Sequence, residues 1–249
     1  MKSNYGWWLP VQASTYAARI DDSLMTLHIA MLVIFGLWAV YMAYCLIRYR
    51  KGKNPTADYS FKDSMKAYTP DVIIFVFEVW LIFFVGVPIW AHIKEDLPKP
   101  EAATVMNVVA EQFAWIFHYP GPDGKFGKSD VHLVNANNPL GIDPNDADGK
   151  DDIVSVNECN VPLGKPVLIH LTAMDVIHSF FVPEFRIKQD AVPGMKINVW
   201  VEPNQTGQFE VGCAQLCGTG HYRMRADFFV KTPQEYDQWV AAQLKAKGL

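Results

Sequence analysis

Four potential metal ligands lie close together in the segment CAQLCGTGHYRM, residues 213–224. Cys213 and Cys217 are separated by three residues, and His221 follows Cys217 after three more. Met224 completes the set. Thiolate and thioether are soft ligands and imidazole is intermediate, a mixture that favours copper, including Cu(I). Zinc is the rival metal, but structural zinc commonly uses C-x2-C pairs and rarely accepts methionine.

The number of thiolates in this segment limits the kinds of metal centre that it can form. Haem attachment needs C-x-x-C-H, which the sequence lacks. An iron–sulfur cluster needs more thiolates or a Rieske-like pair of histidines. A mononuclear blue-copper site uses one cysteine, so the second thiolate indicates two metal ions bridged by both sulfurs. A disulfide between Cys213 and Cys217 is the alternative without a metal. Cys45 is interpreted as a packing residue and Cys159 as a buried free thiol.

A second histidine for such a pair of ions has to come from elsewhere in the chain. His178, in MDVIHSFFVPEF, is the best candidate because it follows a predicted strand and has apolar neighbours. His118, His132 and His170 are the alternatives. An isolated histidine in an apolar run is more commonly a core or surface residue than a ligand, so the spacing alone leaves this choice open.

Two long apolar stretches, residues 24–48 and 72–93, precede the polar remainder of the chain. Each is about as long as the ~20 residues that a helix needs to cross a bilayer. The loop between them carries the basic residues Arg50, Lys51, Lys53, Lys62 and Lys66. The segment before the first stretch has only Lys2 and Arg19, so the positive-inside rule makes the loop cytoplasmic. The sequence therefore predicts a multi-pass protein of the bacterial inner membrane with both termini on the periplasmic side.

The remainder of the chain has the pattern of an all-β domain. Short apolar or alternating runs, separated by Pro, Gly, Asn and Asp, are typical of a β-sandwich or barrel. Residues 104–121 are predicted as a strand, and residues 153–162 form one of the short runs. The tail is predicted as a helix with Thr232 as N-cap, Pro233 at the first helical position and Glu235 completing a capping box. The predicted units are an outer segment 1–23, a transmembrane two-helix hairpin 24–93 with a cytoplasmic loop at about 49–70, and an outer domain 94–249.

Three motifs, together with the predicted membrane hairpin, resemble subunit II of the haem–copper cytochrome c oxidases. The motifs are CAQLCGTGHYRM, DVIHSFFVPEFRIKQDAVPG and QFAWIFHYPG, and the resemblance covers nearly the whole chain. It implies a cupredoxin-type Greek-key sandwich that holds the binuclear copper centre CuA, with no haem in this chain. The ligands implied by residue-by-residue matching are His178, Cys213, Cys217, His221, Met224 and the backbone carbonyl of Gln215.

The resemblance also implies a function and a set of partners. The chain would receive electrons from a c-type cytochrome, or from a haem c domain of a partner complex, and pass them to haem in subunit I. Oxygen reduction there is coupled to proton pumping, and the expected partners include subunit III and the lipid bilayer. The net charge of −4, with an acidic outer domain, suits a basic donor and argues against binding of nucleic acid.

Other members and neighbours of the superfamily remain as alternatives. A quinol-oxidase subunit II lacks the copper ligands, and a nitrous oxide reductase does not need the membrane hairpin. The CuA subunit of a nitric oxide reductase fits the same sequence features. A membrane-anchored copper-delivery module is an alternative of a different class, because it would bind copper singly and exchange it readily.

Two positions depart from the usual family pattern. Gln215 stands where the family commonly has a glutamate whose side chain contributes to a magnesium site shared with subunit I. A neutral amide is a weaker ligand for a hard cation, which argues against magnesium here. Phe113 occupies the position of the tryptophan that usually receives the electron, and Trp115 lies two residues further on. Either ring is a candidate for this role.

Three carboxylates are candidates for supporting roles. Glu78 lies within the second apolar stretch, roughly 12 Å along the helix from Pro70 at ~1.5 Å per residue, and an intramembrane carboxylate by default suggests function. The family often supplies an acid from this helix to a proton pathway into subunit I, and Asp71 is the alternative to Glu78. Asp175, three residues before His178, is interpreted as a contact of that ligand, part of a docking surface or a turn residue.

Overall fold

The computed structural model describes residues 9–56, 59 and 65–249. The remaining positions belong to the predicted outer segment and the predicted cytoplasmic loop, so Lys2 and Lys62 lie outside the described residues. The described chain divides into two compact units, each of which is described by itself. One unit comprises residues 19–92, and the other comprises residues 9–18 together with residues 93–249.

Two long apolar helical stretches, Ala17–Arg48 and Met65–Lys94, are long and apolar enough to cross a membrane. Their most apolar windows are not buried against other parts of the described chain, so a large apolar surface is left for lipid or for other subunits. The regular helices are α1, Ala17–Arg48; α2, Thr69–Leu81; and α3, Val87–Lys94. A turn of 3-10 helix, Met65–Tyr68, leads into α2.

The second apolar stretch changes its helical geometry where a proline interrupts its hydrogen bonds. A π-helical segment, Ile82–Gly86, joins α2 to α3. Pro88 lies just beyond it and has no N–H group to donate to the carbonyl four residues earlier. Wide turns of this kind commonly accompany proline and occur near functional positions. Glu78 lies in α2, one turn before this segment.

Within the described residues, ten strands form two five-stranded sheets. The first sheet has the order β3-β2-β1-β5-β8 and the second has the order β4-β10-β9-β6-β7. Most neighbouring strands are antiparallel, whereas β1 pairs with β5, and β4 with β10, in parallel. The strands are β1, Thr104–Glu111; β2, Ala114–Tyr119; β3, Ile153–Val156; β4, Glu158–Pro162; β5, Val167–Ala173; β6, His178–Val182; β7, Ile187–Ala191; β8, Ile197–Val201; β9, Gly207–Cys213; and β10, Arg225–Lys231.

Alternating apolar residues on the strands fill the space between the two sheets. In β10, Ala226, Phe228 and Val230 are buried and alternate with exposed or half-buried neighbours. Trp115 of β2 meets Phe180 of β6 edge-on, with ring centroids 5.4 Å apart. Burial of one such large side chain stabilises the fold by roughly 3 kcal/mol. The predicted fold class is confirmed: two apolar helices precede an all-β cupredoxin-like sandwich, which ends in a helix.

Three details of the β-domain differ from the sequence prediction. Residues 104–121 form two antiparallel strands, β1 and β2, because the chain reverses at residues 112–113. The run at residues 153–162 also contains two strands, which are separated by Asn157 in a left-handed conformation (φ 58°) that asparagine tolerates better than most residues. The edge strand β7 was not predicted, because its sequence IKQDA is mostly polar.

An N-terminal arm, residues 10–16, lies against the β-domain. The backbone N–H of Ala13 donates to the carbonyl of Glu184 at 2.9 Å. The buried hydroxyl of Tyr16 donates to the carbonyl of Trp200 at 3.0 Å, and the two rings meet edge-on at 5.4 Å. Burial raises the pKa of Tyr16, so this hydroxyl remains a donor throughout the physiological pH range. The arm therefore belongs to the same compact unit as the β-domain.

The C-terminal helix α4, Pro233–Ala246, begins with the predicted capping box. The side chain of Thr232 accepts from the backbone N–H of Glu235, and the carboxylate of Glu235 accepts from the backbone N–H of Thr232 at 2.9 Å. The hydrogen bonds from Thr232 lower the pKa of Glu235. The helix is held to β2 by Trp239, whose ring meets that of Tyr119 edge-on at 5.1 Å.

Candidate metal centre

The pairing of β6 with β9 brings two distant parts of the sequence together. His178 is the first residue of β6, and Cys213 is the last residue of β9 and pairs with Phe180. The chain then forms a loop, residues 214–224, that returns to β10. The N–H of Ala214 donates to the carbonyl of Ser179 at 3.0 Å, which fixes the start of this ligand loop beside the start of β6.

The six donors predicted from the sequence lie in one cluster at this end of the sandwich. The Sγ atoms of Cys213 and Cys217 are 3.8 Å apart, and the thiol of Cys213 lies 3.1 Å from the carbonyl oxygen of Gln215. The Nδ1 atom of His221 lies 3.7 Å from Sγ of Cys217. Both cysteines are free thiols, so the alternative of a Cys213–Cys217 disulfide is not what the structure contains.

His178 and Met224 complete the cluster on its buried side. The Nδ1 atom of His178 lies 3.2 Å from Sδ of Met224 and 3.9 Å from Sγ of Cys213. Sδ of Met224 is also 3.7 Å from Sγ of Cys217. The ligand atoms of His178, Cys213 and Cys217 lie within 4.8 Å of one another and form a group that could hold a metal ion. Two thiols, two imidazoles and a thioether suit a soft or intermediate metal such as copper.

The charge state of the Cys217 thiol depends on whether a cation is present. Cys217 is only 4% exposed, and burial together with the nearby Cys213 raises its pKa to about 11. The Cys217 thiol is therefore protonated at neutral pH when no metal is bound. A metal ion would replace that proton, because the thiolate is the form that binds metals.

Asp175 fixes the orientation of the His178 ring. The Oδ1 atom of Asp175 lies 2.9 Å from Nε2 of the fully buried His178, which leaves Nδ1 directed at the sulfur atoms. Burial alone would raise the pKa of Asp175, but hydrogen bonds from His178, Val176 and Gln112 lower it below its ordinary value. A carboxylate on the far nitrogen of a ligand histidine fixes the tautomer and the ring orientation.

The two candidate aromatic residues occupy different layers beside the cluster. Half-buried Phe113 lies against the ligand loop at Gly218 and Gly220, where a β-carbon on either glycine would collide with its surroundings. Trp115 is fully buried behind it, and its ring centroid is 6.2 Å from that of His178. Phe113 is thus nearer the surface and Trp115 is nearer the core.

The alternative histidines lie away from the sulfur atoms. His118 is buried beneath residues 126–127, and its Nε2 atom is 2.7 Å from Oδ2 of Asp152. His170 faces outward on β5 and bonds to Asn198 at 2.8 Å. His132 is exposed in the long loop between β2 and β3. Of the four candidate histidines outside residues 213–224, His178 is therefore the one that the fold brings to the cluster.

Gln112 was not predicted as a site residue, although it contacts both halves of the cluster. Its backbone N–H donates to Oδ2 of Asp175 at 2.7 Å, and its side-chain amide donates to the carbonyl of Cys217 at 2.6 Å. The one signal for Gln112 in the sequence was its position before Phe113 in the aromatic run. This signal was missed because residues 104–121 were predicted as one uninterrupted strand.

The fold and the cluster define a class of protein. It is membrane-associated and has a cluster of soft metal ligands in a cupredoxin-like domain. The family model described as "Cytochrome C oxidase subunit II, periplasmic domain" matches residues 105–228. The chain belongs to the cytochrome c oxidase subunit II family, and the resemblance noted from the sequence is confirmed.

Similar proteins include "Alternative cytochrome c oxidase subunit 2" of Bradyrhizobium diazoefficiens, which is 35% identical over 98% of this chain and 86% of that protein. "Cytochrome c oxidase subunit 2" of a Synechocystis species is 28% identical over 96% of this chain and 76% of that protein. Among solved structures, the periplasmic domain of subunit II of cytochrome oxidase of Bradyrhizobium japonicum is 30% identical. It aligns with a TM-score of 0.44 over 60% of this chain and 97% of that chain.

Proposed function

We propose that this chain is the electron-accepting subunit of a terminal cytochrome c oxidase and that its β-domain holds the binuclear CuA centre. The family membership supports the first part. The single observation that carries the second is the convergence of His178, Cys213, Cys217, His221, Met224 and the Gln215 carbonyl in one cluster. When bound there, a copper pair would supply one-electron transfer with little change in bond lengths.

In this proposal the protein's own residues hold the ligands in a fixed geometry and exclude water from the metal centre. Cys213 and Cys217, through their sulfur atoms, and His178 and His221, through a ring nitrogen each, would hold the copper pair. His178 is fully buried and held by Asp175, while the end of β9 fixes Cys213. Fixed ligands reduce rearrangement on electron transfer, and burial excludes water that would otherwise compete for the metal.

The donor docks, in this proposal, near the half-buried Phe113. Phe113 lies on the ligand loop between the surface and the cluster, and Trp115 lies behind it against His178. A c-type cytochrome, or a haem c domain of a partner complex, is the donor class that the family membership favours. The acceptor is haem in subunit I, where oxygen reduction is coupled to proton pumping, and subunit III is a further expected partner.

The N-terminal arm supports the proposed membrane topology. It precedes α1 in the chain, yet it belongs to the same compact unit as the β-domain that follows α3. Both ends of the two-helix region 24–93 therefore lie on one side if each apolar helix crosses the membrane once. The basic loop at about 49–70 then lies in the cytoplasm and the domain 94–249 in the periplasm of an inner-membrane, multi-pass subunit.

Glu78 is proposed as the proton-uptake residue, with Asp71 as the alternative. Asp71 lies in the first turn of α2, where its negative charge stabilises the N-terminus of the helix. Because this structural role accounts for Asp71, Glu78 is the better candidate for proton uptake. Gln215 is proposed to bind copper through its carbonyl only. Its neutral side chain argues against a magnesium site, because magnesium prefers carboxylate ligands.

Metal counting combined with electron paramagnetic resonance tests the copper assignment. The purified full-length chain in detergent is loaded with copper, and the metal content is measured by mass spectrometry. We expect two coppers per chain and a hyperfine pattern shared over two equivalent copper nuclei. Cys213→Ser should abolish this pattern, whereas Cys159→Ser, at a cysteine buried between the sheets, should retain it.

Three results would contradict the proposal. A signal from a single, readily exchanged copper would indicate a copper-delivery module, and zinc in place of copper would indicate a structural site. If the copper pair is present but the isolated complex reduces nitric oxide rather than oxygen, the chain is the CuA subunit of a nitric oxide reductase.

A further inference from the structure

The turn between β1 and β2 contacts two segments that carry predicted ligands. One contains Asp175 and His178, and the other is the ligand loop. The backbone N–H of Gln112 donates to Oδ2 of Asp175 at 2.7 Å, and the other oxygen of Asp175 lies 2.9 Å from Nε2 of His178. The side-chain amide of the same glutamine donates to the carbonyl of Cys217 at 2.6 Å. One residue thus links the His178 side of the cluster to the Cys217 side without being a ligand itself.

These bonds form a continuous chain that runs from His178 through Asp175 and Gln112 to Cys217. We call the two hydrogen bonds made by Gln112, to Asp175 and to Cys217, the Gln112 bridge. Its members come from three separate segments of sequence, since 63 residues separate Gln112 from Asp175 and 105 separate it from Cys217. Without the bridge, the segment carrying Asp175 and the ligand loop are joined mainly where β6 meets β9.

The residues around the bridge fit closely only because the ligand loop contains glycine. A β-carbon on Gly218 would lie 2.8 Å from the amide nitrogen of Gln112. A β-carbon on Gly220 would lie 2.6 Å from Cγ of Phe113. Both distances are shorter than real β-carbon contacts, so the loop backbone approaches the turn as closely as sterics allow. Gly218 also has φ +138°, a conformation that other residues rarely adopt.

We propose that Gln112 is a positioning residue that holds the two ligand-bearing segments at a fixed separation before the metal binds, and that it thereby slows metal loss. The second half of this statement rests on the proposed copper centre. The first half concerns the metal-free protein alone. A rigid, preformed site loses less conformational freedom on binding, so its ligands stay in place when one metal bond opens.

Hydrogen exchange in the metal-free, full-length chain tests the preformed state. Gln112→Met removes the side-chain donor to Cys217 but keeps a side chain of similar length and the backbone hydrogen bond to Asp175. The matched control is Gln205→Met, because Gln205 also donates its side-chain amide to a backbone carbonyl, that of Gln12 at 2.8 Å. The amides of Ala214 and His221, which donate to Ser179 and Gly218, report on the ligand loop.

We expect exchange at these two amides to be about two- to tenfold faster in Gln112→Met, the range for loss of one hydrogen bond. Gln205→Met should leave them unchanged. The amide of Phe228 in β10 reports on the sandwich as a whole and should exchange at the same rate in all variants. Unchanged loop amides in Gln112→Met would overturn the proposal, and acceleration at Phe228 as well would show a general loss of stability instead.

Copper release to a chelator gives the second measurement. Gln112→Met should release copper about two- to tenfold faster than the wild type. Gln112→Lys, which restores an N–H donor on a long side chain, should recover part of the difference. Equal release rates would overturn the link to metal retention. A wild-type chain that binds no copper pair would contradict the proposed function, while the exchange experiment would still decide whether Gln112 orders the loop.

Discussion

His118 and His178 are both buried histidines, and each contacts an aspartate through Nε2. The distance is 2.7 Å from His118 to Asp152 and 2.9 Å from His178 to Asp175. The two pairs differ in what the second ring nitrogen faces. Nδ1 of His118 lies 3.4 Å from the side-chain amide of Asn107, whereas Nδ1 of His178 lies 3.2 Å from the sulfur of Met224.

This difference distinguishes His118, which has a structural role, from His178, which is a candidate metal ligand. Asp152 is fully buried and also accepts from the N–H of Gly127, so the His118 pair fastens the long loop after β2 to the sheet. Nδ1 of His178 instead faces a thioether and, at 3.9 Å, the thiol of Cys213. The atoms opposite the free nitrogen therefore distinguish a packing histidine from a candidate metal ligand, although both are paired with an aspartate.

Removing each histidine in turn should give the largest contrast. His178→Ala should abolish the spectrum of the copper pair, because one ion loses its imidazole. His118→Ala should keep that spectrum but destabilise the domain by about 3 kcal/mol, since Asp152 is left buried without its partner. Spectroscopy of copper-loaded protein and denaturant unfolding of the metal-free protein measure the two effects. Loss of the copper spectrum in His118→Ala would contradict the proposed difference between the two histidine–aspartate pairs.

A single methyl group in the ligand loop should have the next largest effect. Gly220→Ala places a β-carbon against the ring of Phe113, and overpacking of this kind costs about 1–3 kcal/mol. The copper spectrum should change as well, because the loop must shift. Gly212→Ala is the matched control, since nothing lies within 4 Å of its β-carbon. Equal unfolding midpoints for the two variants would show that Phe113 does not restrict the loop.

Replacing the sulfur opposite His178 should have a milder effect. Met224→Leu should retain both coppers and shift the reduction potential of the centre, because a weak thioether ligand tunes the potential. Its cost in stability should stay below about 1.5 kcal/mol, as for other exchanges of methionine and leucine. The control is Met106→Leu, at a methionine fully buried in β1, which should leave the potential unchanged. Redox titration measures the reduction potential of both variants. An unchanged potential in Met224→Leu would remove Met224 from the ligand set.

A third histidine should give the smallest effect, visible as a dependence of stability on pH. Burial lowers the pKa of His170 below its ordinary value of 6.5, despite an opposing hydrogen bond from its ring to the side-chain oxygen of Asn198. Between the folded and unfolded pKa values the unfolded chain binds more protons, so stability falls as the pH drops below about 6.5. His170→Gln should flatten this part of the unfolding profile and leave the slope near pH 8 unchanged. An identical slope in both proteins below pH 6.5 would contradict the prediction.

Cys213, Cys217, His221 and Met224 could be proposed as ligands from the sequence because their spacing and donor types are distinctive, whereas the choice of His178 and the Gln215 carbonyl rested on the family resemblance. The capping box of α4 and the apolar helices were also predictable, since each depends on residues close together in the chain. Gln112 was not, because its partners Asp175 and Cys217 become neighbours only after the sheets have formed. Strand β7 was missed for a related reason: its polar sequence is placed by pairing with β6 and not by its own hydrophobic pattern.

The N-terminal arm has a consequence for how the protein is made. Residues 10–16 leave the ribosome long before their partners Glu184 and Trp200, which follow more than 160 residues later in the sequence. The arm must therefore wait, unattached, until residues 184–200 have been translated. Deleting the arm or fusing a bulky tag to it would interfere at that later stage of maturation, after both apolar helices have been synthesised.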